Sequence, residues 1–205
     1  MKRETQMRLK RILDVALACS GLVICAPILA LAGVAIKLDS AGPVLFRLRA
    51  AGVNGEMFLQ WKVRTMVDGA RVCGDYFETS SSDPRITRVG RFLRRWSIDE
   101  LPQLWNVIRG EMSLVGPRPA FYEVAAKYSA EQRRRLAMRP GLTGLAQVSG
   151  RNSLSWAERM ELDVFYIEHY SLWMDCGIIA RTIPALFRVE GVYGKDGRVR
   201  IPDVG

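Results

Sequence analysis

"VALACSGLVICAPILALAGVAI", Val15 to Ile36, is a run of 22 residues without a charge. Its length suffices for a span, because about 20 apolar helical residues cover the ~30 Å hydrocarbon core of a bilayer. Pro27 falls near its middle, where a proline removes one helical hydrogen bond and crowds the carbonyl one turn earlier. The spacing predicts a bend between arms of 12 and 9 residues. At 1.5 Å per residue, each arm reaches roughly half a bilayer deep.

Three geometries compete for this segment. In a straight span, the basic start (Lys2, Arg3, Arg8, Lys10, Arg11) stays in the cytoplasm and everything after Lys37 is exported. A re-entrant hairpin of two half-helices returns both ends to the cytoplasmic face. A cleaved leader would use Ala30-Leu31-Ala32 as its processing site, although the apolar run exceeds the usual leader core. Arg47 and Arg49 follow Lys37 closely, so basic residues flank the segment on both sides, which suits the re-entrant form. Asp14, just before the run, is expected at the interface beside Arg11.

The whole chain has 205 residues, with 30 Lys plus Arg against 21 Asp plus Glu, a formal charge of +9. Such a surface attracts something anionic: nucleic acid, acidic headgroups or a phosphorylated substrate. Cys19, Cys25, Cys73 and Cys176 have neither CxxC nor Cys/His spacing, which argues against zinc and against a disulfide framework. The single histidine, His169, has no nucleophile partner nearby in sequence and reads as an ordinary half-buried or surface residue.

Beyond the apolar run, "PVLF" (43–46) and "MFLQWKVRTM" (57–66) read as strands around the turn "GVNG", with Lys62 and Arg64 on one face by the period-two rule. Residues 74–85 read as a polar loop. "RVGRFLRRWS" is expected to be a short basic helix, because Val89, Phe92, Leu93 and Trp96 recur at helical spacing; its arginines suit anionic headgroups. A helix is predicted from Ala120 to Met138, then a glycine-punctuated loop over 139–152. Two amphipathic helices are predicted over 155–189, their apolar stripes (Trp156, Met160, Val164, Ile167; then Trp173, Ile178, Ile179, Leu186, Phe187) suiting a core or an interface.

In "SIDELPQLWNVIRGEMSLVGPRP" (97–119), Asp99 and Glu100 stand side by side. Ser97-x-x-Glu100 has the form of a capping box, which would make the pair purely structural. Three features favour a site instead. Pro102 fits badly inside a helix begun at Ile98, so the helix is expected to start nearer Leu101 with the acids exposed on its entry turn. Adjacent side chains diverge by about 100° on a helix, so the two carboxylates have separate tasks. One helix length later, glycine and two prolines fix the backbone around Arg118, as a bidentate phosphate contact requires. Adjacent acids among guanidiniums, with no histidine at hand, fit a carboxylate nucleophile attacking phosphorus. A divalent ion would relieve the repulsion between two carboxylates and a diphosphate.

The ordered series "RILDVALA", the proline-broken apolar helix, "WKVRTM", "DPRITRVGRFLRRWSIDELPQLWNVIRGEMSLVGPRP", "RPGLTGLAQVSGRN" and "ELDVFYIEHYSLWMD" resembles the bacterial sugar transferases in their small, monotopic phosphoglycosyl transferase form. The resemblance covers nearly the full length. It implies a mostly helical α+β fold: a basic leader and re-entrant helix-break-helix over 1–38, broken at Pro27, then a compact cytoplasmic catalytic domain over 39–205 with a small hairpin and amphipathic interfacial helices. It implies residence at the bacterial inner membrane, Mg²⁺, a UDP-sugar donor, a polyprenol phosphate acceptor, UMP release and no nucleic-acid partner. In that scheme Asp99 is the nucleophile, Glu100 binds metal with it or orients and deprotonates the acceptor, and Arg118 holds phosphate oxygens. Lys62, Arg64, Arg139 and Arg151 are further candidates for diphosphate or acceptor contacts, and Asp163 is divided between a buried salt bridge and a site role. The chain departs from the family in having Ala26-Pro27 where Ser-Pro is common. It also has Leu48 and Ala50 in "FRLRAAG", where polar residues are common, with Arg49 as a possible compensation. A rival reading, a basic membrane-anchored binding or nucleic-acid module, explains the charge but leaves the acid pair and "GPRP" without a task.

Overall fold

A computed structural model describes residues 3–70, 79–80, 82–150, 153–187 and 198–199. Helix α1 (Arg3–Asp39) is followed by a hairpin of β1 (Leu45–Ala51) and β2 (Met57–Val63). The hairpin turn places Asn54 and Gly55 at φ +55° and +84°, the left-handed region that Asn and Gly tolerate best. The chain continues through β3 (Thr79–Ser80), α2 (Arg88–Arg95), α3 (Gln103–Arg109), β4 (Ser113–Val115) and β5 (Ala120–Phe121). It ends with α4 (Tyr122–Ala125), α5 (Ala130–Arg133), β6 (Gly141–Thr143), α6 (Leu145–Ser149), α7 (Trp156–Glu168), α8 (Leu172–Phe187) and β7 (Arg198–Val199). The fold is α+β and mostly helical. One sheet has the order β2-β1-β5, β4 and β6 form a parallel pair, and β3 pairs with β7.

The predicted hairpin, the basic α2 and the two closing helices are all present. The helix expected from Ala120 to Met138 is not continuous. Ala120 and Phe121 instead join the sheet opposite Ala51 and Ala50, and Ser129 starts a new helix through a reciprocal capping box with Gln132. That corner buries Tyr128 against Ala51, Val124 and Ala125. Within 139–152 the chain forms β6 and α6 rather than a plain loop. Half of the polar stretch 74–85, residues 74–78 and 81, lies outside the described residues.

Pro27 does not interrupt α1, which is assigned as one helix through the position where a break was expected. One face of α1 is spread along the domain. Arg3 donates to the Ile167 carbonyl, Arg11 caps the C-terminus of α3 at Val107 and Ile108, and Gly21 packs on Leu104. Farther on, Ala32 and Ile36 share a cluster with Val63 and Leu93, and Asp39 accepts from the Val89 amide. The opposite face is apolar and bare: Val23, Ile24 and Leu31 are 75, 71 and 72% exposed.

Asp14 is not at an interface beside Arg11. It is buried, where it accepts from the Ser113 hydroxyl at 2.7 Å and the Leu114 amide at 3.1 Å. Lys10, also buried, pairs with Asp175 at 2.7 Å, and Tyr166 donates to the other oxygen of Asp175 at 2.6 Å. Unpaired charges are costly in an interior, so these groups fasten the start of α1 to β4 and α8 in one arrangement.

Candidate active site

Ser97 adopts φ +55° and ψ +23°, and the chain turns through a 3-10 segment, Ile98–Glu100, before α3. The capping box fails on both counts: the Ser97 side chain caps nothing, and the Glu100 side chain reaches away from Ser97. Glu100 Oε1 accepts from Lys62 Nζ at 3.1 Å and from Arg118 Nη2 at 2.7 Å. The entry-turn placement expected from Pro102 therefore holds, but the acids are half-buried rather than exposed, because Lys62 and Arg118 close on Glu100.

Lys62 reaches Glu100 because β2 turns Phe58, Gln60 and Lys62 to its inner face. Asn106, fully buried on α3, covers the open edge of β2: its Oδ1 accepts from Trp61 N at 3.0 Å and its Nδ2 donates to Leu59 O at 2.8 Å. Arg118 is fixed through the backbone on either side of it. Gly141 N donates to Pro117 O at 2.8 Å, and Arg135 Nη2 donates to Arg118 O at 2.9 Å. Glycines permit the approach of β6. A Cβ on Gly141 would stand 2.1 Å from Gly116 N, and one on Gly144 would stand 2.2 Å from Gly116 O.

The two carboxylates live in different fields. Burial, opposed mainly by Lys62 and reinforced by the neighbouring Glu100 charge, pushes Asp99 up to about 6. Burial also acts on Glu100, yet Arg118 and Lys62 together hold that carboxyl well below the usual range. Glu100 is thus a fixed anion at neutral pH, while Asp99 is an acid that ionises only near pH 6. Among the described residues Asp99 has no hydrogen-bond partner, which leaves its oxygens to a ligand.

The structure brings together Asp99, Glu100, Lys62 and Arg118. Arg64 is buried with its guanidinium on the Ser40 and Ala41 carbonyls, closing the turn after α1. Arg139 is exposed and donates to Gly110 O at 2.8 Å. Arg151 lies outside the described residues. Asp163 is buried in an ion pair with Arg135. Leu48 and Ala50, the departures on β1, face the interior, and Arg49 pairs with Glu123 and lies over Tyr122. His169 is exposed and stacks on Phe165.

One cation was not singled out in advance. Arg94, on the last turn of α2, donates from Nε to Thr65 Oγ1 at 2.8 Å, and its charge also favours ionised Asp99. Its sequence signal was available, an arginine five residues before the acid, but it was hidden among four similar arginines. Gly90 sets its position: a Cβ there would stand 2.0 Å from Thr65 O, so only glycine lets α2 lie this close.

Among the described residues no three or more His, Cys, Asp or Glu side chains gather into a metal cage. Two carboxylates are nevertheless the protein share of a typical Mg²⁺ site whose other ligands are phosphate oxygens and water.

The chain matches the profile described as bacterial sugar transferase over residues 5–189. It is 47% identical over 195 residues to the UDP-glucose:undecaprenyl-phosphate glucose-1-phosphate transferase of Caulobacter vibrioides, covering 90% of this chain and 72% of that one. It is 40% identical over 198 residues to the exopolysaccharide production protein ExoY of Sinorhizobium fredii, covering 90% and 88%. It is 38% identical over 187 residues to the uncharacterized sugar transferase EpsL of Bacillus subtilis, covering 91% of both chains.

Proposed function

The chain belongs to the bacterial sugar transferase family, and from that premise we propose that it moves a sugar 1-phosphate from a UDP-sugar to polyprenol phosphate, initiating surface glycan or exopolysaccharide assembly. The observation that carries this reading is the division of the acid pair, with Glu100 locked between Lys62 and Arg118 and Asp99 left free to react. An Asp99 oxygen attacks the sugar-bearing phosphorus, the bond from that phosphorus to the bridging oxygen breaks, and UMP leaves with the electron pair. The acyl phosphate so formed is attacked by an oxygen of polyprenol phosphate, which takes the phosphosugar and frees the carboxylate.

Glu100 is too weak a base to deprotonate an acceptor while two cations hold it, so its task is to keep Lys62 and Arg118 in place beside the phosphates. Arg118, about half exposed, presents the outward part of its fork to the diphosphate, and Arg94 adds charge beside Asp99. Mg²⁺ would be held by Asp99 and Glu100 with diphosphate oxygens, where it would neutralise charge on the donor. Assayed with a panel of UDP-sugars and polyprenol phosphate, the enzyme is expected to release UMP from a productive donor and to lose at least about 100-fold in rate when Mg²⁺ is removed. No UMP from any donor would end this reading.

The anchoring follows from the docking of α1. A straight span would carry Gly21, Ala32 and Ile36 into the bilayer and away from Leu104, Val63 and Leu93, which pack on them. We therefore infer a monotopic anchor in which the unbroken α1 lies along the domain, beds its bare apolar face in one leaflet and keeps the domain on the cytoplasmic face of the inner membrane. In a variant whose only cysteine is the exposed Cys176, an impermeant thiol reagent is expected to label lysed cells and not intact ones. Labelling of intact cells would overturn the topology.

A further inference from the structure

We propose that Arg135, braced by Asp163, is a positioning residue for Arg118, holding the backbone of that arginine so that its guanidinium meets Glu100 and the donor's phosphates. The inference rests on the site reading above but concerns residues that do not touch substrate. Arg135 sits on a 3-10 turn, Arg134–Leu136, and is 4% exposed; Asp163, on α7, is 1% exposed. One planar fork serves three acceptors. Nη2 donates to Asp163 Oδ2 at 2.5 Å and to Arg118 O at 2.9 Å, and Nη1 donates to Tyr128 Oη at 2.9 Å. The guanidinium lies 5.3 Å from the Trp156 ring centroid and 5.9 Å from that of Tyr128.

Stability alone does not account for this arrangement. A buried ion pair gains little over well-packed apolar residues, because desolvation offsets the attraction, and here polar groups are left over: Asp163 Oδ1 and Arg135 Nε have no partner among the described residues. What the pair does provide is direction. Arg118 stands between Pro117 and Pro119, so its own φ and ψ are already restricted to extended values by the proline that follows. Gly141 fixes the peptide plane before Arg118 through Pro117 O, and Arg135 fixes the plane after it through Arg118 O. With both planes set, the Cα–Cβ bond of Arg118 points one way, and the side chain reaches Glu100 without searching. Asp163 keeps the fork from rotating off the carbonyl. Lysine, a point donor on a flexible stem, cannot serve three acceptors in one plane.

The test uses full-length protein in detergent or nanodiscs, with Arg135→Lys as the main variant and Arg135→Leu as the second. Amide hydrogen exchange is read first, since it does not depend on the reaction. The segment 113–121 is expected to exchange at least about 10-fold faster in Arg135→Lys, while β1, β2 and α7 remain as in the unmodified protein. UMP release should fall about 30-fold, mostly in kcat. In an Arg118→Ala background the same change should cost less than about 2-fold, because there is no guanidinium left to position. Faster exchange throughout the domain, or an equal loss with and without Arg118, would make Arg135 a merely structural residue and overturn the proposal. Full activity in both variants would overturn it too. An unmodified protein that releases no UMP would instead sink the functional reading, and the exchange result would still decide the positioning claim.

Discussion

Asp99→Asn is expected to release UMP from the productive donor at least about 1,000-fold more slowly than the unmodified enzyme, with little change in fold. Asparagine has the same shape and removes a half-buried group whose ionisation is already disfavoured, so stability should not suffer. What disappears is the attacking oxygen. The same side chain sets the pH dependence. Because its carboxyl is raised to about 6, it is neutral and unreactive below that value. The donor-side kcat/KM should therefore fall about tenfold per pH unit below pH 6, rather than below 4 as for an ordinary aspartate. Intact-protein mass spectrometry of the unmodified enzyme with donor alone should show an added phosphosugar that Asp99→Asn lacks. A variant within tenfold of the unmodified rate, or an adduct that survives the substitution, would remove Asp99 from the chemistry.

The second large effect is expected from one methyl group placed between two backbone segments. In Gly141→Ala the new Cβ would lie 2.1 Å from Gly116 N, 2.3 Å from Thr143 O and 2.6 Å from Gly116 O. All three are backbone atoms, so no side chain can swing aside to make room. Relief requires β6 to separate from β4 at Gly116 and to bend away from its own Thr143 O, which breaks the Gly141 N to Pro117 O and Gly116 N to Thr143 O hydrogen bonds. The cost should exceed about 3 kcal/mol, seen as a lower melting temperature in detergent. Because Pro117 precedes Arg118, activity should fall in whatever fraction remains folded. Equal stability and activity in Gly141→Ala would show that the β4–β6 contact is looser than the described geometry.

Several elements were legible without tertiary information. The β1–β2 hairpin follows from β-branched and aromatic runs around a Gly-Val-Asn-Gly turn, and α2, α7 and α8 follow from helical spacing, because local periodicity decides them. Pro102 correctly placed the acid pair on an entry turn. The predicted helix over 120–138 failed because its periodicity ignored two local events, the pairing of Ala120 and Phe121 with β1 and the fresh cap at Ser129. The reading of Asp14 as an interfacial residue failed because its partners, Ser113 and Leu114, lie about 100 positions away in sequence.

The sequence by itself determined the chemistry on offer: two adjacent acids, an arginine held between prolines, an apolar segment with a proline near its centre, and a basic flank. Those are covalent and local properties, present before the chain folds. Only the tertiary structure decided which carboxylate is held and which is free, that Lys62 and Arg118 close on Glu100 while Arg64 turns to carbonyls, that Arg135 donates to the Arg118 carbonyl and that α1 lies along the domain. The reason is that a charge's partner and its burial are set by residues brought together over dozens of positions, and at these distances a shift of a few ångströms decides which atoms meet.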